Sequence, residues 1–204
     1  MLKNKLLFFF LLMFFSSIKA QEKQDSLKVK TNTIVFIDLN VRYSFGVTNG
    51  LSGGLSLNYQ VKKNLLKFRF FETSRIENVD VIFGIIPTNI DQKLTREYSL
   101  LYGKRFIKND LAYHFAGGIS YSNYKKTKQD VVVTEYNFVG FPLEFGIHWF
   151  HSKKERYRVL FGLIPVGKPT SFGRAQGLKL YVNLAKRSYI GLGITIGLGW
   201  HKKY

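Results

Sequence analysis

Between residues 33 and 45 the side chains fall into two files, Val35, Ile37, Leu39, Val41, Tyr43 and Phe45 on one and Phe36, Asp38, Asn40, Arg42 and Ser44 on the other. Successive side chains of a strand point to opposite faces, so the spacing predicts a strand with one apolar face. Residues 51–61 repeat the pattern, with Leu51, Leu55, Leu57, Tyr59 and Val61 opposite Ser52, Gly54, Ser56, Asn58 and Gln60. Gly46-Val47-Thr48-Asn49-Gly50 between them is turn chemistry. The last segment is the clearest: Ile190, Leu192, Ile194, Ile196, Leu198 and Trp200 alternate with Gly191, Gly193, Thr195, Gly197 and Gly199. A water-facing sheet surface has no reason to be stripped to glycine. A narrow closed barrel does, because its interior is crowded while its outer face meets lipid.

Further strands are predicted at 65–73, 94–105, 111–122, 136–150, 156–164 and 178–185, and no stretch sustains a helical period. That makes nine, whereas a single-chain bacterial barrel closes with an even number. Either 156–164 and 178–185 form one strand interrupted by an excursion at 165–176, giving eight, or Val79–Ile86 adds a tenth; eight suits the length. The expected class is all-β, a closed antiparallel up-and-down transmembrane barrel. Lys62-Lys63-Asn64, Lys108-Asn109-Asp110 and Ser152-Lys153-Lys154-Glu155 read as short turns on one side, and 74–93 and 123–135 as longer loops on the other. Tyr43, Tyr59, Tyr121, Trp149 and Trp200 fall near strand ends, where interfacial aromatics belong.

A mean hydropathy of -0.06 excludes a bundle of long apolar helices but suits alternating strands. With no cysteine, disulfides, thiolate metal sites and a lipidated N-terminal cysteine are all excluded. The formal charge of +18 would ordinarily suggest nucleic acid. The N-terminus argues against that. Lys3 and Lys5 precede an apolar run, Leu6–Phe15, and Ser16-Ser17-Ile18-Lys19-Ala20 offers a small residue before Gln21, which is the layout of a signal peptide cut after Ala20. Ten residues of helix rise about 15 Å, roughly half the hydrocarbon thickness, which favours a signal peptide over a spanning anchor. The expected organisation is a signal peptide at 1–20, a periplasmic tail at 21–32 and an outer-membrane barrel at 33–204. Removing residues 1–20 leaves 28 basic against 13 acidic residues, or +15.

Through Glu97-Tyr98-Ser99-Leu100-Leu101-Tyr102-Gly103-Lys104, Val139-Gly140-Phe141-Pro142-Leu143-Glu144 and Ser188-Tyr189-Ile190-Gly191-Leu192-Gly193, the chain resembles small outer-membrane β-barrel proteins related to the OmpA membrane domain and OmpX. The resemblance implies insertion by the outer-membrane assembly machinery, which recognises a final strand with alternating apolar residues and a terminal aromatic. Leu198, Trp200 and Tyr204 look like such a strand, although His201-Lys202-Lys203 intervene. It does not imply one activity, since such proteins include adhesins, tethers, narrow channels and enzymes.

Gly162-Leu163-Ile164-Pro165-Val166-Gly167-Lys168-Pro169-Thr170 nearly spells a phosphate-binding loop, but Pro169 splits the motif and no helix follows. His114, His148, His151 and His201 are too scattered to suggest a metal site, and His114 and Ser120, on one face of one strand, stand about 20 Å apart. The informative residues are charges predicted to point inward: Asp38, Arg42, Arg69, Glu97 and Glu144, with Lys67, His114, His148 and Arg158 as further candidates. Inside a narrow barrel these must pair or stay wet. Lys125, Lys126 and Lys128, in an outer loop, are candidates for contact with lipopolysaccharide phosphates. The function expected is a non-enzymatic envelope protein with a structural or surface-interaction role and a filled interior. A small gated channel is the alternative, and a lipid-modifying enzyme a third reading. Its partners would be outer-membrane lipids, with no cofactor, metal or nucleic acid.

Overall fold

The alternation in the sequence becomes the two faces of a closed wall. The computed structural model describes residues 32–82, 86–128, 131–150, 155–160, 163–170 and 172–203; the expected signal peptide and, Asn32 apart, the tail lie outside them. Ten strands are described: β1 (Ile34–Gly46), β2 (Gly50–Val61), β3 (Asn64–Ile82), β4 (Ile86–Lys108), β5 (Leu111–Lys128), β6 (Val131–Phe150), β7 (Glu155–Val159), β8 (Ile164–Thr170), β9 (Phe172–Ala185) and β10 (Tyr189–Trp200). Eight close an antiparallel barrel in the order β1-β10-β9-β6-β5-β4-β3-β2, while β7 and β8 pair only with each other. Each wall strand neighbours its successor, except that β6 meets β9 across the β7–β8 hairpin.

On β10 the outward residues Ile190, Leu192, Ile194, Ile196, Leu198 and Trp200 are 40–62% exposed. Removing such a side chain from water is worth about 1.5–3 kcal/mol. A full belt of them is tolerable only against lipid. The ten steps from Ile190 to Trp200 span ~33 Å along the strand, or ~25 Å of height at a barrel tilt of ~40°, which matches the apolar band of an outer-membrane barrel. Above the belt the outward positions turn polar, with Arg96 Nε donating to Glu72 at 2.7 Å and Asn123 to Asn137 at 2.8 Å. Tyr59, Trp149 and Trp200 face outward near the end that carries the termini, and Tyr43 and Tyr121 near the opposite end.

The inner face is spaced by glycine. A Cβ on Gly146 would stand 2.3 Å from the His114 ring, on Gly177 2.3 Å from the His148 ring, and on Gly197 2.8 Å from Asp38 Oδ1. Small positions on one strand thus make room for long polar side chains on the next. Pro142 sits inward on β6 without an N–H to give, and the β5–β6 ladder steps from Gly117–Leu143 to Ser120–Gly140 across it.

The wall has eight strands, but not by the predicted route. Residues 156–159 and 164–170 belong to the β7–β8 hairpin outside the wall, and the seventh wall strand is the unbroken Phe172–Ala185. Arg158, expected to face inward, therefore lies on the hairpin, opposite Pro165. Short apolar periodicity cannot distinguish a wall strand from a local hairpin. The segments 74–93 and 123–135, expected as loops, are largely strand: β3 and β4 run on to Ile82 and from Ile86, and β5 and β6 to Lys128 and from Val131. Residues 79–82 extend β3 and add no tenth wall strand. The turns at Lys62-Lys63 and Asn109-Asp110 are as short as expected, with Lys62 and Asn109 in the left-handed region (φ 54 and 52). Of the turn expected at 152–155, residues 152–154 lie outside the described residues and Glu155 opens β7, so that β6 and β9 are joined by a 21-residue connection.

Gly193 tests the crowding. A Cβ there would fall 2.5 Å from the Val41 carbonyl oxygen and 2.6 Å from Arg42 Cβ. Gly193→Val should cost about 1–3 kcal/mol, the usual range for overpacking, read as a lower urea midpoint for unfolding from lipid vesicles.

Candidate functional site

The lumen is filled by one polar network to which all eight wall strands contribute. Glu97, on β4, is its upper anchor. Arg69 Nη2 donates to its Oε1 at 2.7 Å and Ser99 Oγ at 2.8 Å, while Tyr189 OH and Asn183 Nδ2 donate to Oε2 at 2.6 and 3.0 Å. Arg42 donates to Tyr189 OH at 2.7 Å, stands 3.9 Å from Glu97, and lies over the Phe71 ring at 3.8 Å. A guanidinium is a planar cation, so it can spend one face on an aromatic ring and still donate at its edge.

Glu144, on β6, is the middle anchor. Its Oε2 accepts from Arg69 Nη1 at 2.8 Å; its Oε1 pairs with Lys67 and lies 2.9 Å from His114 Nε2 and 3.9 Å from Lys179. Asp38, on β1, is the lower anchor: Oδ2 accepts from Lys179 at 2.6 Å and from Asn58 at 3.1 Å. Lys179 also donates to Asn40 at 2.8 Å, and Asn40 accepts from Tyr181 at 3.1 Å. Arg69 thus joins Glu97 to Glu144, and Lys179 joins Glu144 to Asp38. Asn58, Ser99 and Ser120 bring β2, β4 and β5 into the same net, Ser120 accepting from Asn183 at 3.1 Å.

Below Asp38 the lumen is closed by rings. Arg105 donates to Gln60 Oε1 at 2.8 Å and to the His201 carbonyl at 2.9 Å, and lies 4.9 Å from the Phe36 ring centroid. His201 packs against Phe36 and Phe150, with centroids 4.7 and 5.7 Å apart. His201, the first residue after Trp200, thus acts as a stopper at the end that carries the termini.

Asp38, Arg42, Arg69, Glu97 and Glu144 therefore lie in one connected cluster, each at most 2% exposed. Lys67, His114 and His148 join them, with the two histidine rings 5.2 Å apart. Among the described residues no group of three or more ligating side chains could hold a metal. An acid converges on His114, but Ser120 bonds Asn183 instead, so no serine–histidine–acid arrangement forms there. Lys179, Tyr181, Asn183 and Arg105 were missed, although the alternation was visible: with Leu178, Leu180, Val182 and Leu184 facing out, the odd residues of β9 must face in.

Lys125, Lys126 and Lys128 lie on the raised part of β5 and divide between its faces. Lys125 shares the outer face with Tyr121 and Asn123, whereas Lys126 stands 3.7 Å from Glu77 on the inner face, where Glu77 also pairs with Lys93. The Lys93 hydrogen bond holds the Glu77 carboxyl below its usual range.

An all-β barrel of eight antiparallel strands with an apolar belt and a polar, filled lumen is the fold of small outer-membrane barrels. Among solved structures, Ail, the attachment invasion locus protein of Yersinia pestis, matches with a TM-score of 0.50 at 10% identity, over 85% of this chain and 98% of that one. The N-terminal barrel domain of Pseudomonas aeruginosa OprF matches at 0.48 and 12% identity over 85% and 100%, and Neisserial surface protein A at 0.48 and 9% over 84% and 99%. At such identity the likeness to Ail concerns fold alone. No family model and no curated protein matches the chain.

Removing Glu144 leaves Lys67, Arg69 and His114 without their shared acceptor. Glu144→Ala should cost about 3–5 kcal/mol, the range for breaking a buried pair, and adding Lys67→Met should restore part of it. Urea unfolding of the single and double variants from lipid vesicles checks both statements.

Proposed function

We propose that the protein is an integral outer-membrane barrel that offers its raised rim as an interaction surface on the cell exterior, delivered by a signal peptide cut after Ala20 and inserted by the outer-membrane assembly machinery. One observation carries this reading. Four neighbouring strands, β3 to β6, have 19, 23, 18 and 20 residues, while β1, β2, β9 and β10 have 13, 12, 14 and 12. The surplus stands above the belt as a four-stranded sheet. Among the described residues, pairing to β2 stops at Ser74 and pairing of β6 to β9 stops at Gly140, so residues 75–82 and 131–139 form its two free edges. Free edges offer unpaired backbone groups to an incoming strand. On the β6 edge, Val131, Val132 and Val133 are 66%, 45% and 58% exposed. A structure needed only to span the membrane gains nothing from such a rim. Lys125, on the outer face of β5 just above the belt, suits contact with lipopolysaccharide phosphates.

The filled lumen favours a non-conducting, non-enzymatic role. The gated channel stays as a second reading because Arg69 and Lys179 each reach two carboxylates, so that a side-chain shift would exchange partners without leaving a charge unpaired.

The chain has no cysteine, so an introduced thiol is unique. Val132→Cys should react with a membrane-impermeant maleimide on intact cells, in a protein that fractionates with outer membranes and migrates faster unheated than boiled. A soluble periplasmic protein, or a Val132→Cys that labels only after permeabilisation, overturns the proposal. In planar bilayers the purified protein should be silent; discrete steps altered by Arg42→Ala or Glu144→Ala would establish the channel instead.

A further inference from the structure

The β7–β8 hairpin is the feature that the surface reading leaves unused. It occupies the connection between Phe150 and Phe172, at the end that also carries the termini. In outer-membrane barrels that side has short turns, and the other two turns here are two residues each. This connection has 21 residues, 151–171, and a hairpin of its own.

Its described residues are apolar at the tip and exposed. Leu163 is 78% exposed, Leu160 62%, Ile164 and Val166 48% each, and Val159 38%. Val159 pairs with Ile164, and Val166 lies two residues along the same strand, so these three share one face. The tip is a turn closed by Leu163 N–H donating to the Leu160 carbonyl at 3.1 Å. Leu160 adopts a left-handed backbone, φ 49, a conformation suited to glycine or asparagine. The other non-glycine residues in that conformation among those described are Lys62 and Asn109, both polar. An apolar side chain is thus kept where the backbone would be easier without it.

As a sequence the connection is basic: 151–171 holds Lys153, Lys154, Arg156, Arg158 and Lys168 against a single acid, Glu155, and Arg156 is exposed on β7. The neighbouring wall matches this. β7 touches β9, and the outward positions of β9 just above Phe172 are Arg174 and Gln176, level with Leu198 and Ile196 of β10, so the aliphatic belt begins higher on this strand. Phe172 and Trp200, in ring contact at 5.2 Å, mark the interface beside it. An exposed apolar tip in a basic connection, beside the aromatic girdle, has the composition of an interfacial membrane element.

We infer that the β7–β8 hairpin is a leaflet anchor: Leu160, Leu163, Ile164 and Val166 insert into the periplasmic leaflet beside β9, and Arg156, exposed on β7, meets the phosphates of anionic phospholipid headgroups. The five residues of β7 span ~17 Å, enough to set the tip beside the wall within one leaflet. The inference rests on the membrane reading, and the controls separate the two.

The two native tryptophans provide the background. With Trp149 and Trp200 both changed to Phe, Leu163→Trp gives a single reporter in full-length protein refolded into phosphatidylcholine–phosphatidylglycerol vesicles. Its emission should be blue-shifted relative to the urea-unfolded chain. It should be quenched at least two-fold by acyl-brominated lipid and less than the unfolded chain by acrylamide. Arg156→Glu in that background should weaken the lipid quenching, and omitting phosphatidylglycerol should do the same. A protein retaining only Trp149 is the control for the wall. Quenching of Trp149 by brominated lipid without quenching at position 163 overturns the anchor and leaves the barrel standing; no quenching at either overturns both. A photoactivatable residue at 163 that crosslinks in cells to a periplasmic protein rather than to lipid also overturns the anchor, and identifies the hairpin as a protein contact.

Discussion

The radius of an eight-stranded barrel admits side chains and little else, and the rest of the structure depends on that narrowness. Whatever points inward must fit and must be satisfied there. Among the described residues, five buried cations, Arg42, Lys67, Arg69, Arg105 and Lys179, share the lumen with three carboxylates, Asp38, Glu97 and Glu144. The shortage of acid is managed by sharing. Glu144 serves four basic side chains within 4.0 Å, and Glu97 collects two guanidiniums, two hydroxyls and an amide. Arg105 has no carboxylate within salt-bridge distance among the described residues, and leans on Gln60, a carbonyl and aromatic faces. Buried charges of this kind add little net stability over an apolar filling. What they add is register. A strand that slipped by one residue would turn its belt inward and its charges into lipid, so the alternation and the network specify the same pairing.

The fold was legible in the sequence wherever the alternation was long. Residues 33–45, 51–61 and 190–200 each show five or more periods with turn residues between, and their strands follow closely. Inward charges were readable for the same reason, as parity alone assigns Asp38, Arg42 and Glu144 to the lumen. Parity does not say which charges meet. Asp38 and Lys179 are 141 residues apart, and the closure of β1 on β10 and β10 on β9 brings them together. The connection 151–171 was misread because a local hairpin and a wall strand use the same period-two code, and only the neighbours across the ladder distinguish them. The raised rim was obscured for a related reason: outside the belt both faces of a strand are wet. Segments such as 75–82 and 123–128 thus lose their apolar file while keeping their backbone pairing.

Glycine links the two faces of the problem. At Gly146, Gly177, Gly193 and Gly197 the missing side chain is the space into which a neighbour's His114, His148, Arg42 or Asp38 projects. The pattern that first set the last strand apart from a soluble sheet is therefore the complement of the charged network, read from the other side of the same contact.

The unequal wall has a consequence for how the molecule sits among its neighbours. Its tall side is continuous, β3 to β6, and its low side is closed by the short turns 47–49 and 186–188. The rim is slanted, open over the low turns and screened behind them by a sheet about 14 Å across at ordinary strand spacing. Such a body has a bearing within the plane of the membrane as well as a top and a bottom. Rotation about the membrane normal would decide which neighbour faces a free edge and which faces the gap, so two copies in one bilayer could present different surfaces to the same approaching object.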